Sequence, residues 1–332
     1  MERSQPSVAV YGAGGHTGQF VVAELRRRSI PVVAVGRDST RFPAGVLGRV
    51  AELGDPTALK NAFEGCAVVI NCAGPFLDSA EPVVTAALAA GCSYLDVTAE
   101  QASAKASLDM FNGAALKAGV VVIPAAGFYG GLADLLATAL VGDDTMEELT
   151  TAVALDHWWP TEGTRRTGER NNVPRVVVER GELVPMPIPA SRIDWVFASP
   201  HGKQVVVELP FSEIITLSRH LPAGTIRSYL GENALSDVRN EGTPAPTAVD
   251  QEGRSAQQFA IEVVAVGKSG TRRAVAQGQD IYAVSAPLVA EATARILSSS
   301  FSRSGALTLG QAFDARDFLA ALSPTPFAVS ID

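Results

Sequence analysis

The run Val10-Tyr-Gly12-Ala-Gly14-Gly15-His16-Thr17-Gly18 concentrates more backbone chemistry than any other stretch of the 332-residue sequence. It follows an apolar run, Val8 to Tyr11, and opens a helical pattern, Thr17 to Arg28. In that setting glycines let the backbone turn sharply and approach a pyrophosphate, whose charge the helix N-terminus stabilises. The next discriminating position closes the second apolar run. An NAD site expects Asp or Glu there, to bind the ribose 2′-hydroxyl. This chain reads Gly36-Arg37-Asp38, with Arg41 one turn further. A guanidinium at Arg37 can pair bidentately with a 2′-phosphate and stack on adenine. The expected cofactor is therefore NADP, held by Gly12, Gly14, Gly15, His16, Thr17, Gly18, Arg37 and Asp38. In the competing arrangement Asp38 takes the ribose and Arg37 faces solvent. A second glycine loop, Asn71-Cys-Ala73-Gly74-Pro75-Phe76, leaves the fourth apolar run. Asn71, Ala73, Gly74 and Pro75 then belong near the nicotinamide-side ribose, unless the loop is only a tight turn.

Candidates for the reaction itself are fewer. The Tyr-x-x-x-Lys pair of short-chain dehydrogenases is missing, since none of the five tyrosines has Lys four residues later. His16, His157, His201 and His220 stand alone, so no metal site is expected. What remains is hydride transfer with a proton supplied by a side chain near the nicotinamide. Tyr94, Asp96 and Glu100 lie at or beyond the fifth apolar run, and Tyr129 follows the sixth. Tyr94 and Asp96 read equally well as core and turn residues; Glu100 and Tyr129 are the preferred catalytic candidates. His157, Trp158 and Arg165 are the candidates for substrate binding, two aromatic rings and a cation just past a strand. A solvated charged loop explains the same residues.

The elements that position these groups follow from periodicity. Strands are expected at Val8–Tyr11, Val32–Val35, Val50–Leu53, Val68–Cys72, Tyr94–Val97 and Val120–Ile123. Helices are expected at 17–28, 57–63, 81–90 and 102–118, the last two closed by Gly91 and Gly119. Strands that are apolar throughout and alternate with helices imply a parallel, doubly wound sheet covered on both faces. From Leu149 to about Ala283 strand-like runs dominate: 151–155, 175–179, 193–197, 205–209, 258–266 and 273–282. The fold class expected is α/β: a Rossmann sheet, residues 1–145, plus a second α+β domain, 146–285, with a mainly antiparallel sheet. The C-terminal helices, 286–332, are expected to complete the first domain.

A net charge of -8 argues against a nucleic-acid partner. Three cysteines without a C-x-x-C pair read as reduced thiols in a cytoplasmic protein. Neither a signal peptide nor a membrane span is expected, because Pro124, Gly127, Gly130 and Gly131 interrupt the most apolar stretch.

Together, Gly12–Gly18, Asn71–Phe76, Ala90–Glu100, Ala126–Phe128, Gly131–Leu135 and Gly310–Asp314 resemble the saccharopine dehydrogenase-like family of NADP-binding oxidoreductases, which includes trans-acting enoyl reductases. The resemblance is good over 8–140 and weak through the β-rich part. It implies an NADP cofactor and a second domain whose sheet often supports a homodimer. It places no catalytic residue. The function expected is an NADPH-dependent reductase acting on a C=N, C=C or C=O bond of a small carboxylate or acyl substrate. A non-enzymatic NADP sensor and a structural dimer module are the alternatives.

Overall fold

Five short apolar segments, each too uniform to leave one face in water, and one more exposed edge strand pair side by side in the computed structural model, which describes residues 6–332. They are β1 (Ser7–Tyr11), β2 (Val32–Gly36), β3 (Leu47–Val50), β4 (Cys66–Asn71), β5 (Ser93–Asp96) and β6 (Val121–Ile123). The order is β6-β5-β4-β1-β2-β3, every pair parallel. The strand order reverses between β1 and β4, the switch point at which such sheets bind ligands. Helices α1 (His16–Arg27), α2 (Pro56–Phe63), α3 (Phe76–Ala89) and α4 (Gln101–Ala118) make the crossovers. The third strand lies three residues earlier than its expected place, at an exposed edge where little burial fixes the register. Helix α3 starts at Phe76 rather than 81, with Pro82 inside it.

Helix α5 (Ala133–Val141) leads into a second sheet. Its parts in chain order are β7 (Met146–Leu155), α6 (Glu162–Arg170), β8 (Val176–Glu179), β9 (Glu182–Pro185), β10 (Arg192–Val196) and β11 (Lys203–Glu208). Then follow α7 (Glu213–Ser218), β12 (Ala223–Gly231), α8 (Glu232–Arg239), β13 (Gln258–Gly267) and β14 (Gly270–Gln279). Strand order is β10-β11-β12-β7-β13-β14; only β12 and β7 run parallel. The architecture is the α/β class read from the sequence, a Rossmann sheet beside a mainly antiparallel one.

The C-terminal segment divides between the sheets. Helix α9 (Ser285–Leu297) meets α1 through Arg28 and Glu291, 2.5 Å apart. Strand β15 (Gly305–Ala306) extends the first sheet beside β6. Helices α10 (Leu309–Ala312) and α11 (Ala315–Leu322) follow. The last strand, β16 (Phe327–Ile331), corrects the expectation for 286–332: it pairs with β14 in the second sheet. Its alternation explains why, since Phe327 is buried while Ala328 and Ser330 face outward on an edge.

No helix among the described residues is long and apolar enough to cross a membrane. No cluster of three potential metal ligands occurs among them.

Candidate functional site

At the end of β1 the chain turns on Gly12, whose φ of +81° is the left-handed region that favours glycine. The Gly15 amide donates to the Gly12 carbonyl at 2.9 Å, closing the turn. A Cβ at Gly18 would overlap that same carbonyl oxygen, so helix and strand can approach this closely only with glycine there. Gly15 is the N-cap of α1 and offers no side-chain cap, which leaves the first turn's amides open toward the loop. His16 turns inward: its ring packs edge-on to Phe20 and Tyr282, and burial lowers its pKa, so it is neutral.

Arg37 is exposed at the end of β2. Asp38 is occupied, capping the turn at Ser39–Arg41 by accepting from the Thr40 amide (3.0 Å) and hydroxyl (2.6 Å). Arg41 folds over the glycine turn, where a Cβ on Gly14 would meet its own at 2.7 Å.

Asn71 works inside the loop it begins. Its Oδ1 accepts from the Ala73 amide at 3.0 Å, and its Nδ2 donates to Ser79 and Tyr94. Asn71 therefore shapes the loop, while Gly74 is exposed and lines the cavity described below.

A cavity of about 680 Å³ opens at the carboxyl ends of the parallel strands, beneath the second domain. Thr17, Cys72, Gly74 and Phe76 line it from the first domain, and Trp158, Arg165, Arg175 and Phe211 from the second. Its volume is ordinary for a small-molecule site.

Both catalytic candidates reach this cavity, in different states. Glu100 is spent on structure: its carboxylate accepts from the Phe76 amide at 2.7 Å and the Leu77 amide at 3.4 Å, capping α3 from outside. Burial raises its pKa and those two bonds oppose the rise. Tyr129 sits in a single π-helical turn, Phe128–Leu132, a distortion frequent at functional sites. Its hydroxyl is buried with no hydrogen-bond partner among the described residues, and burial raises its pKa well above the usual tyrosine value. The phenol keeps its proton at neutral pH.

The substrate candidates separate. Trp158 is buried at the cavity, its Nε1 donating to the Tyr282 hydroxyl at 2.9 Å. Arg165 lines the rim, and its guanidinium donates to the Thr243 carbonyl at 2.7 Å, pinning α6 to the loop after α8. His157 is corrected: its side chain is 59% exposed, stacked on Trp159 outside the cavity, because Trp158 takes the buried side of the chain as it leaves β7.

Sequence reasoning missed Tyr282 and Arg175. The Tyr282 hydroxyl collects Trp158, Thr164 and the Thr161 amide, tying α6 to the glycine turn through His16. It lay within a run read as strand, which in fact ends at Gln279; Asp280, at φ +60°, turns the chain. Arg175, just before β8, stacks over Phe211 at 5.0 Å; the sequence marked it only as the first residue of the strand expected at 175–179.

A family model described as NAD(P)H-binding matches residues 12–117. The saccharopine dehydrogenase-like oxidoreductase of Mus musculus is 28% identical over 156 residues, 39% of this chain and 35% of that protein. A Mycobacterium tuberculosis protein named for trans-acting enoyl reduction is 28% identical over 158 residues, 43% of this chain and 38% of its own length. The aligned stretch thus spans little more than a third of either curated relative. Apo saccharopine dehydrogenase (L-Glu forming) from Saccharomyces cerevisiae superposes with a TM-score of 0.67 at 12% identity, covering 98% of this chain and 100% of that one. At that identity the likeness shows the fold. The chain is thus similar in sequence, over part of its length, to saccharopine dehydrogenase-like oxidoreductases, and it shares the fold of saccharopine dehydrogenase over nearly all of it.

Proposed function

We propose that the protein is an NADPH-dependent reductase acting on a C=N, C=C or C=O bond of a small carboxylate or acyl substrate. One observation carries this reading: a single cavity joins Thr17 and Gly74, at the glycine turns, to Tyr129 and Trp158. The residues present fit the cofactor, since a Cβ at Gly14 or Gly18 would close the turn and Asp38 is already engaged. Bound NADPH supplies a hydride. The open amides of α1 hold the pyrophosphate, and Arg37 pairs with the 2′-phosphate. Gly74 leaves room for close backbone approach on the nicotinamide side. Tyr129 holds, on its hydroxyl, the proton that the second atom of the reduced bond takes up. Walls of Phe76, Phe128, Trp158 and Phe211 exclude water from that place.

The test is fluorescence titration with NADPH and NADH, followed by NADPH oxidation at 340 nm against 2-oxo acids with ammonia, enoyl thioesters and ketones. Tight NADPH binding with turnover of one bond class is the expected result. NADH binding as tightly as NADPH removes the cofactor assignment. NADPH binding with no turnover in any class leaves a sensor instead of a reductase.

A further inference from the structure

Most low-exposure arginines of this protein already have carboxylates. Arg28 pairs with Glu24 and Glu291, Arg227 with Glu179 and Glu208, and Arg295 with Glu291 and Asp317. Arg175 does not. Among the described residues its one hydrogen bond is from Nη1 to the Pro210 carbonyl, and it forms no ion pair. A guanidinium has five N–H donors, so most of its capacity is unengaged. It is half-buried at the cavity wall, and burial lowers its pKa. Leaving a half-buried cation without an ion-paired carboxylate costs free energy, and such a cost persists where a ligand supplies the missing pair.

The surroundings define that ligand. Arg175 faces the cavity, with its charge over the Phe211 ring. The same ring packs against Tyr129, centroids 4.1 Å apart, and Tyr129 carries the unpartnered buried hydroxyl. Phe128, Trp158, Leu235 and Val238 supply apolar wall. Glu213, which accepts the Phe211 amide at 2.9 Å, lies near enough to add negative potential at the guanidinium. Arg239, exposed on the same cavity, adds positive potential at Arg175 and Glu213 opposes it, so the local balance stays near one positive charge and suits a single negative charge better than a phosphate dianion.

Resting on the reading of this cavity as the substrate site, we propose that Arg175 is the anchor for the carboxylate of the substrate, a monocarboxylic acid with an apolar body. The carboxylate takes the free edge of the guanidinium as a paired hydrogen bond. The apolar body lies along Phe211 and Trp158. The Tyr129 hydroxyl is left for the reacting end of the same molecule.

Calorimetric titration and tryptophan fluorescence with 3-phenylpropanoate, 3-phenylpropanamide, hexanoate and hexanamide test this, each with and without NADP+. On the wild type each acid should bind at least tenfold more tightly than its amide, as for a charge-assisted pair. Arg175→Met should erase that preference and Arg175→Lys should keep part of it, with NADPH affinity unchanged in both. Equal binding of acid and amide by the wild type, or binding of neither acid, overturns the proposal without any variant having to fold. An acid preference in a protein that fails to bind NADPH keeps the anchor and removes the reductase reading.

Discussion

The Asp96 carboxylate accepts the Ala125 amide at 2.7 Å, tying the end of the fifth parallel strand to the turn that delivers Tyr129. Ala125 has a φ of +56°, a conformation that costs a non-glycine residue of the order of 1 kcal/mol or more. The same carboxylate accepts from Tyr94 and from the Thr98 amide, and burial pushes its pKa up to about 6. Asp96 thus spends its charge on holding a strained turn, which places a neutral phenol in the cavity.

Tyr129→Phe separates stability from chemistry. Its hydroxyl satisfies no partner in the fold, so removing it should leave stability unchanged or raise it by about 1 kcal/mol. If the phenol donates the proton, kcat should fall by about 10²–10⁴. Thermal unfolding and steady-state kinetics on one preparation check both. A variant as active as the wild type excludes Tyr129 as donor.

Arg37→Ala should weaken NADPH by about 1–3 kcal/mol, the loss of a charged hydrogen bond. NADH should change little. Matched titrations with the two cofactors decide it, and equal losses would sink the assignment.

Gly18→Ala inverts an ordinary rule. Alanine inside a helix normally adds about 1 kcal/mol of stability. Here its Cβ would strike the Gly12 carbonyl oxygen, so the substitution should destabilise by about 1–3 kcal/mol and abolish NADPH binding. Urea unfolding with NADPH titration measures both, and a stabilised variant would show that the turn is looser than described.

Glu213 sets a pH dependence. Burial raises its pKa from 4.5 to about 6, so the fold favours the neutral acid. Its contribution is full below about pH 4.5 and is lost as the pH rises through about 6, a change of about 2 kcal/mol. Between pH 4.5 and 7.5 the wild type should therefore lose about 2 kcal/mol more than Glu213→Gln. Urea unfolding across that range tests it. Parallel profiles would contradict it.

Tyr282→Phe should loosen α6, because one hydroxyl serves Trp158, Thr164 and the Thr161 amide. Limited trypsin digestion at Arg165 and Arg166 should quicken several-fold, while the global unfolding midpoint moves by about 1 kcal/mol or less. An unchanged cleavage rate would show that other contacts hold the helix.

The first sheet was legible because each of its elements is decided locally. Val8 to Tyr11 is apolar without alternation, Gly12 supplies the turn, and Asp55 with Pro56 opens α2 as cap and first residue. Helix α3 was placed five residues late, because its first amides are capped by Glu100, a partner 24 residues on. The second domain depends on such distant partners throughout. Helix α6 buries none of its residues, so it had no apolar period to read. Strand β12 carries Gly224 and Arg227 between its apolar residues, and the ion pairs that fix Arg227 come from β8 and β11. The cofactor turn could be found from spacing alone. Arg175 could not, since a missing counter-ion is visible only once the fold has brought its neighbours together.

That α6 buries none of its residues has a thermal consequence. Swinging this helix away uncovers almost no apolar surface of its own, and heat-capacity change tracks apolar exposure. Access past it should accordingly vary little in equilibrium with temperature. It should respond to ionic strength instead, because one direct link of α6 to the first domain, the ion pair of Arg170 with Asp78 at 2.8 Å, lies in solvent where salt screens it. Binding rates for a carboxylate probe at two salt concentrations and two temperatures would show which variable governs the opening.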